Sequence, residues 1–199
     1  GIERGSQDIP GYLIPQMYMD YLHTEDARPM AGIFYHNEID VLSMASLLER
    51  MAQMLEAPLD GGAGHHAELY AIGRLFADLG FADEAIEVFR STMAQELPAD
   101  TQYQLVENLA CLHRRRGEYE QALELWEAAA SDGHVYAHVE IAKYYEHKVG
   151  EYGRALEYTR TALKIVKKKQ TPRFERLHWE PLLEHRKQRL ERRLENRAD

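Results

Sequence analysis

The sequence predicts an all-α fold, and three observations carry that prediction. Apolar residues recur at spacings of three and four along almost the whole chain, which is the period of a helix with one buried face. No run rich in Val, Ile and Thr alternates with polar residues as a half-buried strand would. A pattern of small and large residues also returns three times in the second part of the chain. We therefore expect helices throughout and essentially no sheet.

The composition is typical of a globular protein, with 45% hydrophobic and 29% charged residues among 199. The longest apolar runs are only a few residues, so neither a membrane span nor a secretion signal is predicted, and we expect a cytoplasmic protein. A single cysteine excludes an intramolecular disulfide. The net charge of -9 is uneven: residues 164–199 hold 12 basic against 6 acidic residues, which leaves 12 against 27 before them. An acidic body of this kind should not attract nucleic acid non-specifically.

The N-terminal quarter of the chain is predicted to form a helical segment of its own. The dipeptide Pro10-Gly11 marks a turn before a short first helix. After a loop, residues 37–57 are predicted to form a long amphipathic helix. Its apolar stripe consists of Val41, Met44, Leu48, Met51 and Leu55. Three closely spaced glycines within residues 58–64 then predict a hinge or a domain boundary.

The start of the long helix has two interpretations. Asn37 is a favoured N-cap residue and Asp40 follows three positions later, so the two form nearly a capping box, in which the helix dipole also favours the acidic residue. This interpretation does not explain His36. If the helix extends back to residue 36, His36 and Asp40 lie four positions apart on one face, close enough to share a metal ion or a water molecule.

An internal repeat follows the predicted hinge. Three segments share one frame of large and small residues: "LYAIGRLFADLGFADEAIEVF", "VENLACLHRRRGEYEQALELW" and "VEIAKYYEHKVGEYGRALEYT". Ala85, Ala122 and Ala155 take the same place in this frame, at intervals of 37 and 33 residues. The pattern resembles the tetratricopeptide repeat family, whose unit of about 34 residues is a helix-turn-helix. The third segment carries one extra residue between Ala142 and Gly150.

The repeated residues have a physical explanation in a stack of helix pairs. Gly73 and Ala110 are small because the paired helices approach closely there, while Phe89 and Trp126 fill the space between neighbouring pairs. Glycine ends each first helix because it tolerates the left-handed conformation of a helix stop, and the glycines concerned are Gly80, Gly117 and Gly150. The sequence thus predicts a right-handed α-α superhelix of TPR-like helix pairs.

The last part of the chain is predicted to be a capping helix, because a stack of repeats needs a terminal element with one polar face. Trp179, Leu183, Leu190 and Leu194 would lie on its apolar side. Its basic face is either a solvated surface or a binding surface for acidic protein or nucleic-acid backbone. That face consists of Arg186, Lys187, Arg189, Arg192 and Arg193.

The first fifty residues carry a second resemblance. The stretch "DIPGYLIPQMYMDYLHTEDARPMAGIFYHNEIDVLSMASLL" resembles the closing segment of the YprB-like, RNase H-type 3'-5' exonuclease superfamily. In that superfamily a helix-borne Tyr or His followed by an Asp supplies the last acidic ligand of the catalytic site. The resemblance implies that His36 stands at the Tyr/His position and that Asp40 is the final carboxylate and a metal ligand.

The chemistry of such a site needs more than this chain offers. Two-metal phosphodiester cleavage requires several carboxylates around a pair of cations, and the superfamily's first acids come from a strand that this sequence does not contain. Asp8, Asp20 and Asp26 lie in a turn, on a helix and in a loop, and we do not assign them as replacements. We therefore expect this chain alone to be inactive and to hold no cofactor. A parent exonuclease would use Mg²⁺ or Mn²⁺.

The predicted organisation has four parts. Residues 1–57 are the helical tail of an RNase H-like exonuclease domain, residues 58–64 a glycine hinge, residues 65–170 three TPR-like repeats, and residues 171–199 the basic capping helix. The leading predicted function is a non-catalytic protein-interaction module attached to this exonuclease remnant. The alternative is that the chain is the C-terminal part of a metal-dependent 3'-5' exonuclease.

The predicted partner is a protein or peptide in the concave groove that the first helices of the repeats would line. The groove residues chosen by their place in the repeat are Tyr70, Arg74, Glu107, Arg114, Lys143 and His147. Nucleic acid is a further expected partner, through the parent nuclease or the basic C-terminal helix. No membrane partner is expected. Self-association through residues 1–57, whose apolar helix has no evident partner, is a third option.

Overall fold

The protein is all-helical, as the sequence predicts. A computed structural model describes residue 5, residues 8–62 and residues 65–196, and within these residues it contains helices and no strand. The chain divides into two compact units, Gly1–His65 and His66–Asp199. No helix within the described residues is both long enough and apolar enough to cross a membrane. Two residues of the predicted hinge, 63 and 64, lie outside the described residues.

The first unit consists of two helices and two short irregular turns. A 3-10 turn over Gly11–Leu13 leads into α1, Ile14–Thr24, and α2 spans Met30–Glu56. A wide turn over Pro58–Gly62 follows, in which Gly61 has a φ of 88° and breaks the helical path. Ile39 is the buried residue of α2, so most of this helix has little packed against it within the described residues.

The predicted start of the long helix at residue 37 is wrong, and Asn37 is not an N-cap. The helix begins at Met30, and Asn37 is an exposed residue within it. The preceding turn makes the earlier start feasible, because the backbone N–H groups of the first helical residues bond to carbonyls of Ala27, Arg28 and Pro29. Proline is also favoured at the beginning of a helix because its φ is already near the helical value. Asp40 is therefore an interior residue with no capping role.

The second unit consists of seven helices in the described residues, arranged as three consecutive pairs and a terminal helix. Within each pair the two helices are joined by a short turn and pack on each other, and α9 packs on α8. The bounds are α3 His66–Leu79, α4 Ala82–Met93, α5 Ala99–Arg116, α6 Tyr119–Ser131, α7 Val135–Tyr144, α8 Tyr152–Val166 and α9 Arg173–Glu195. A π-helical turn, Tyr145–Val149, extends α7.

Small residues lie where the paired helices approach each other. Ala85, Ala122 and Ala155 are completely buried. A Cβ atom added to Gly73 in α3 would lie 2.5 Å from the ring of Phe89 in α4, which is far inside van der Waals contact. The predicted reason for these small residues is therefore confirmed at the level of helix packing.

The turns inside the pairs use glycine in the left-handed region. Gly80, Gly117 and Gly150 have φ values of 89°, 80° and 78°. The extra residue of the third segment is absorbed just before Gly150, where the helix widens into the π-helical turn. Tyr145 and Glu146 are buried by this turn. The right-handed superhelical arrangement of TPR type stays a prediction.

The third pair and α9 share a hydrophobic core. Val135 and Val139 of α7 pack with Leu163 and Val166 of α8 and with Leu183 of α9. Leu190, farther along α9, is completely buried in a second cluster, which also contains a tryptophan of α6. These contacts place α9 on the end of the stack of helix pairs.

Candidate functional site

The clearest cluster of chemically active side chains in the first unit surrounds His36. The His36 Nε2 atom lies 3.3 Å from the Asp40 Oδ2 atom, one turn later on α2. The His36 Nδ1 atom lies 2.7 Å from the Asp8 Oδ1 atom, and this distance is that of a hydrogen bond. The imidazole and the Asp8 side chain are each only 16% exposed, whereas Asp40 is 42% exposed. The helix that begins before His36 thus brings His36 and Asp40 together.

The segment before α1 holds Asp8 against α2. The backbone N–H of Asp8 donates to the carbonyl of Gly5, and the N–H of Gly5 donates to the hydroxyl of Tyr35 at 3.0 Å. Gly11 also faces the His36 ring, since a Cβ atom there would lie 3.7 Å from Nε2. The sequence places Asp8 in a turn and gives no reason to assign it to the site, yet the structure brings it to His36. Its side chain is 28 residues from His36 and belongs to a turn without helical periodicity, so no spacing rule indicates the contact.

The three residues do not by themselves form a metal site. Carboxylate oxygens are the ligands that Mg²⁺ and Mn²⁺ prefer, and Asp8 and Asp40 supply two carboxylates. The imidazole of His36 lies between them and contacts both, so the two carboxylates do not converge on one position. No group of three or more His, Cys, Asp or Glu side chains within the described residues is placed to hold a metal ion.

The six predicted groove residues are distributed over three helices and the π-helical turn. Arg114, Lys143 and His147 line one open pocket with a volume of 370 Å³. The Tyr70 hydroxyl instead accepts a hydrogen bond from the side chain of Asn108, and its ring contacts Phe89. The two remaining residues, Arg74 and Glu107, are exposed on α3 and α5. The structure therefore brings half of the predicted set together.

Glu107 nevertheless has a perturbed environment. Partial burial raises the pKa of its carboxyl group, and the negative charge of Glu140 on α7 raises it further. The carboxylates of Glu107 on α5 and Glu140 on α7 are therefore near enough to repel each other. Glu140 also forms an ion pair with Lys143 and lies 3.7 Å from a guanidinium nitrogen of Arg114, so acidic and basic groups are adjacent along this surface.

The basic face of α9 is not simply solvated, as one interpretation of the sequence had it. Glu146, in the π-helical turn, has a side chain with no exposed surface, and it accepts hydrogen bonds from Arg186 at 2.6 Å and from Arg189 at 2.8 and 2.9 Å. Burial alone would raise the pKa of Glu146, but the hydrogen bond and charge of Arg189 and the charge of Arg186 outweigh burial and lower it. Two of the five basic residues therefore anchor the helix through hydrogen bonds, and a third, Arg193, lies 4.0 Å from the same carboxylate.

Comparison with known proteins supports the first unit's resemblance. Residues 1–52 match the family model described as the RNase_H superfamily. Over 186 residues the chain is 30% identical to a protein of Bacillus subtilis (strain 168) described as the uncharacterized protein YprB. This alignment covers 89% of the chain and 43% of YprB, so the chain spans less than half the length of this relative.

The matched region contains the whole His36 cluster. Asp8, His36 and Asp40 all lie within residues 1–52, the part of the chain that is similar to the RNase_H superfamily model. The RNase H-like part of the sequence prediction is confirmed by these matches. The similarity to YprB extends over the second unit as well.

Proposed function

We propose that this chain is part of a metal-dependent, RNase H-like 3'-5' exonuclease, to which it contributes Asp40 and a helical binding unit. The observation that carries the proposal is the coincidence of the family match over residues 1–52 with the cluster of Asp8, His36 and Asp40. Asp40 is the more exposed carboxylate and is the one we assign as a ligand of Mg²⁺ or Mn²⁺. The other ligands would come from outside the described residues.

His36 is assigned as a positioning residue for Asp40. The imidazole lies between the two carboxylates. Its Nδ1 atom is held by Asp8, and this contact orients the Nε2 atom toward Asp40. A carboxylate only accepts hydrogen bonds, so His36 donates through Nδ1–H to Asp8, and it donates to Asp40 as well when Nε2 also carries a proton. A second residue that holds a ligand-bearing side chain in place is a recurrent feature of metal sites.

The exposed apolar surface of α2 supports the same proposal. Met44, Leu47 and Leu48 are among its large apolar residues that are more than half exposed. Neighbouring exposed apolar side chains on one helix face usually mark a surface that another protein element covers. In the proposal, this face packs against the rest of an RNase H-like domain.

The second unit is proposed to be a right-handed superhelix of three TPR-like pairs closed by a capping helix. The buried alanines at one place in each pair and the left-handed glycines that end the first helices support it. The proposed domain organisation keeps residues 1–57 with the nuclease domain, residues 65–170 as repeats and residues 171–199 as the cap. The intervening residues 58–64 would form the hinge.

The test compares this chain with the complete product of its gene. Each is assayed for degradation of an end-labelled single strand with Mg²⁺ or Mn²⁺. We expect hydrolysis by a product that supplies the remaining ligands and none by this chain alone. Asp40→Asn in the active product should lower the rate about 100-fold or more, because a lost ligand disables a two-metal site.

Glu38→Gln is the matched control, because Glu38 is another exposed carboxylate on the same helix, two residues from Asp40. Its rate should stay within about twofold of the parent rate, as expected for an exposed surface change. His36→Gln tests the positioning role and should raise the metal concentration needed for half-maximal rate by about 10-fold. A gene product without metal-dependent hydrolysis, or one that is active with Asp40→Asn, contradicts the proposal.

A second candidate function is peptide binding by the helix pairs. Tyr136 is only 7% exposed. Its hydroxyl has no hydrogen-bond partner in the described part of the chain. It lines an open pocket of 520 Å³ together with Tyr103, His134 and Trp179. Burial keeps the pKa of Tyr136 above its usual value, so the hydroxyl remains a donor. The hydroxyl is itself buried, so a bound peptide carbonyl would reach it through a small shift of the pocket wall.

This candidate is tested with peptides selected on the parent chain from a random library. Tyr136→Phe should weaken the binding of such peptides about fivefold, which corresponds to one neutral hydrogen bond. Tyr18→Phe, at an exposed tyrosine of α1, should leave the affinity unchanged. Equal binding by the parent chain and Tyr136→Phe would argue against this site.

A further inference from the structure

The pocket that contains Arg114, Lys143 and His147 is strongly basic, and we call it the basic pocket. It lies between the end of α5, the helices α6 and α7, and the π-helical turn. Its permanent cations are Arg114, Arg115, Lys143 and Lys148, and its one carboxylate is that of Glu140. The walls therefore carry an excess of three positive charges, in a chain whose net charge is -9.

The carboxylate of Glu140 does not neutralise this excess. Glu140 forms an ion pair with Lys143 and lies 3.7 Å from Arg114. Arg115 and Lys148 are both exposed, and neither has an ion pair within the residues that the structure describes. These two cations, one at the end of α5 and one in the π-helical turn, are available to an anion.

Aromatic rings lie beside the cations. Tyr119 and Tyr144 are partly buried, and their ring centroids are 5.6 Å apart with an angle of 33° between the ring planes. The ammonium group of Lys148 lies 5.0 Å from the centroid of the Tyr119 ring, an arrangement typical of a cation-π contact. The pocket therefore combines positive charge with flat apolar surface.

That combination matches single-stranded nucleic acid. Proteins bind single strands with cations that contact the phosphates and with aromatic rings against which bases stack. The volume of 370 Å³ falls within the range of ligand pockets and suits a short stretch of one strand rather than a duplex. An acidic peptide offers charge but no bases, and it is less favoured beside two tyrosine rings.

We propose that the basic pocket binds the phosphate backbone of single-stranded nucleic acid, with Arg115 and Lys148 as principal phosphate contacts and Arg114 beside them. This inference rests on the proposed function, since a nuclease-related first unit defines nucleic acid as the substrate class. It adds a site in the second unit, where the chain would hold a strand that a nuclease domain degrades.

The test measures fluorescence anisotropy of a labelled oligothymidine of about twelve nucleotides, a length within the site sizes of single-strand binders. The full chain is used, with a chelator present so that no hydrolysis is required. Contacts with three phosphates should give a slope of about -2 in a plot of log affinity against log salt concentration. Arg115→Ala combined with Lys148→Ala should weaken binding about tenfold at low salt and make the slope shallower by about 1.4.

The matched control is Lys164→Ala combined with Lys169→Ala, which removes the same charge from exposed positions outside the pocket. It should leave the affinity and the slope nearly unchanged. If the Arg115 and Lys148 variant binds like the parent chain, or if the chain does not bind the oligonucleotide, the proposal is overturned. Equal affinity for an oligoglutamate of the same charge would also overturn it, because recognition would then be of negative charge alone.

The two proposals fail in different experiments. Binding in the presence of a chelator does not involve Asp40, so Asp40→Asn should leave the anisotropy titration unchanged. Hydrolysis that survives Asp40→Asn, with binding unchanged, would count against the role of Asp40 only. Hydrolysis that survives Arg115→Ala with Lys148→Ala, together with unchanged binding, would count against the basic pocket only.

Discussion

Gly73 shows at the scale of one residue how closely the first helix pair is packed. Gly73→Ala would place a methyl group 2.5 Å from the Phe89 ring, so either the ring or the helix must move. We expect the free energy of unfolding to fall by about 1–3 kcal/mol, the usual cost of overpacking a core. Urea denaturation measures it.

Gly153 provides the control for that substitution. It lies in α8, and a Cβ atom there would meet no atom within 4 Å. Gly153→Ala should therefore leave stability unchanged or raise it by up to about 1 kcal/mol, because alanine loses less backbone entropy in a helix. Similar effects of both substitutions would contradict the packing explanation.

His138 makes the stability of the second unit depend on pH. It is buried in α7, and burial lowers its pKa, although a hydrogen bond with the backbone of Ala130 acts in the opposite direction. The unfolded chain therefore binds a proton at a higher pH than the folded chain does. Stability should be full above the unfolded pKa of about 6.5 and should fall as the pH drops through the folded pKa.

The measurement compares urea denaturation at about pH 7 and at about pH 5, a range that spans the histidine titration. His138→Gln should lose less stability between these two pH values than the parent chain does. Val139→Ala changes a neighbouring buried residue that does not titrate. This variant should be less stable than the parent chain by the same amount at both pH values. A pH dependence that is unchanged in His138→Gln would rule out this histidine as its source.

The sequence predicts some residue contacts and not others for a physical reason. Gly73 and Ala85 follow from a repeated frame, because packed helices impose small residues at regular positions. His36 and Asp40 follow from a spacing of four on one helix. The contacts of Asp8 with His36 and of Glu146 with Arg186 join distant parts of the chain, and no periodicity in the sequence relates them.

At the scale of elements, the attachment of α9 depends on one buried carboxylate. Glu146→Gln would remove the charge that compensates Arg186, whose side chain is only 15% exposed. We expect a loss of about 3 kcal/mol, because a buried charge without its partner is strongly destabilising. Hydrogen exchange of the α9 amides should become faster, since the helix loses its two arginine anchors.

Glu184→Gln is the control for this prediction. Glu184 of α9 pairs with Lys167, which directly follows α8, and the two side chains are 35% and 50% exposed. An exposed ion pair contributes at most about 1 kcal/mol, so stability and exchange should change little. If Glu146→Gln behaves like Glu184→Gln, the buried anchor does not hold α9.

Element boundaries were harder to predict than element types. The helical period of α2 is clear in the sequence from Val41 onward. The start at Met30 is stabilised by backbone hydrogen bonds and by no side-chain cap. A cap residue that could indicate this start is therefore missing from the sequence. Asn37 has a side chain that can cap a helix, but it lies inside α2 and not at its start. The first helix of each repeat ends at a glycine with a positive φ, and there the sequence signal and the backbone requirement coincide.

At the scale of the whole molecule, the first unit presents an apolar face that we expect to control self-association. Met44 and Leu48 are 62% and 69% exposed on α2. If the rest of a nuclease domain is absent, burial of this face between two copies is favourable. Met44→Lys combined with Leu48→Glu should lower the molar mass measured by light scattering at high protein concentration.

Leu79→Lys is the matched control, because Leu79 is similarly exposed but lies at the end of α3. It should leave the molar mass as it is in the parent chain. A chain that is monomeric at every concentration, or a Leu79→Lys effect as large as that of the α2 variant, would refute self-association through residues 1–57.

The wide turn at Tyr145–Val149 has a consequence for how the stack of helix pairs ends. The interval from the small residue to the closing glycine is seven residues in the first two pairs and eight from Ala142 to Gly150. One residue changes the angular phase of a helix by about 100°, so the added residue determines where Glu146 points. The position of the Glu146 carboxylate, which binds the arginines of α9, thus depends on the number of residues between Ala142 and Gly150. A deletion of one residue in this interval would therefore displace α9 although every arginine is still present.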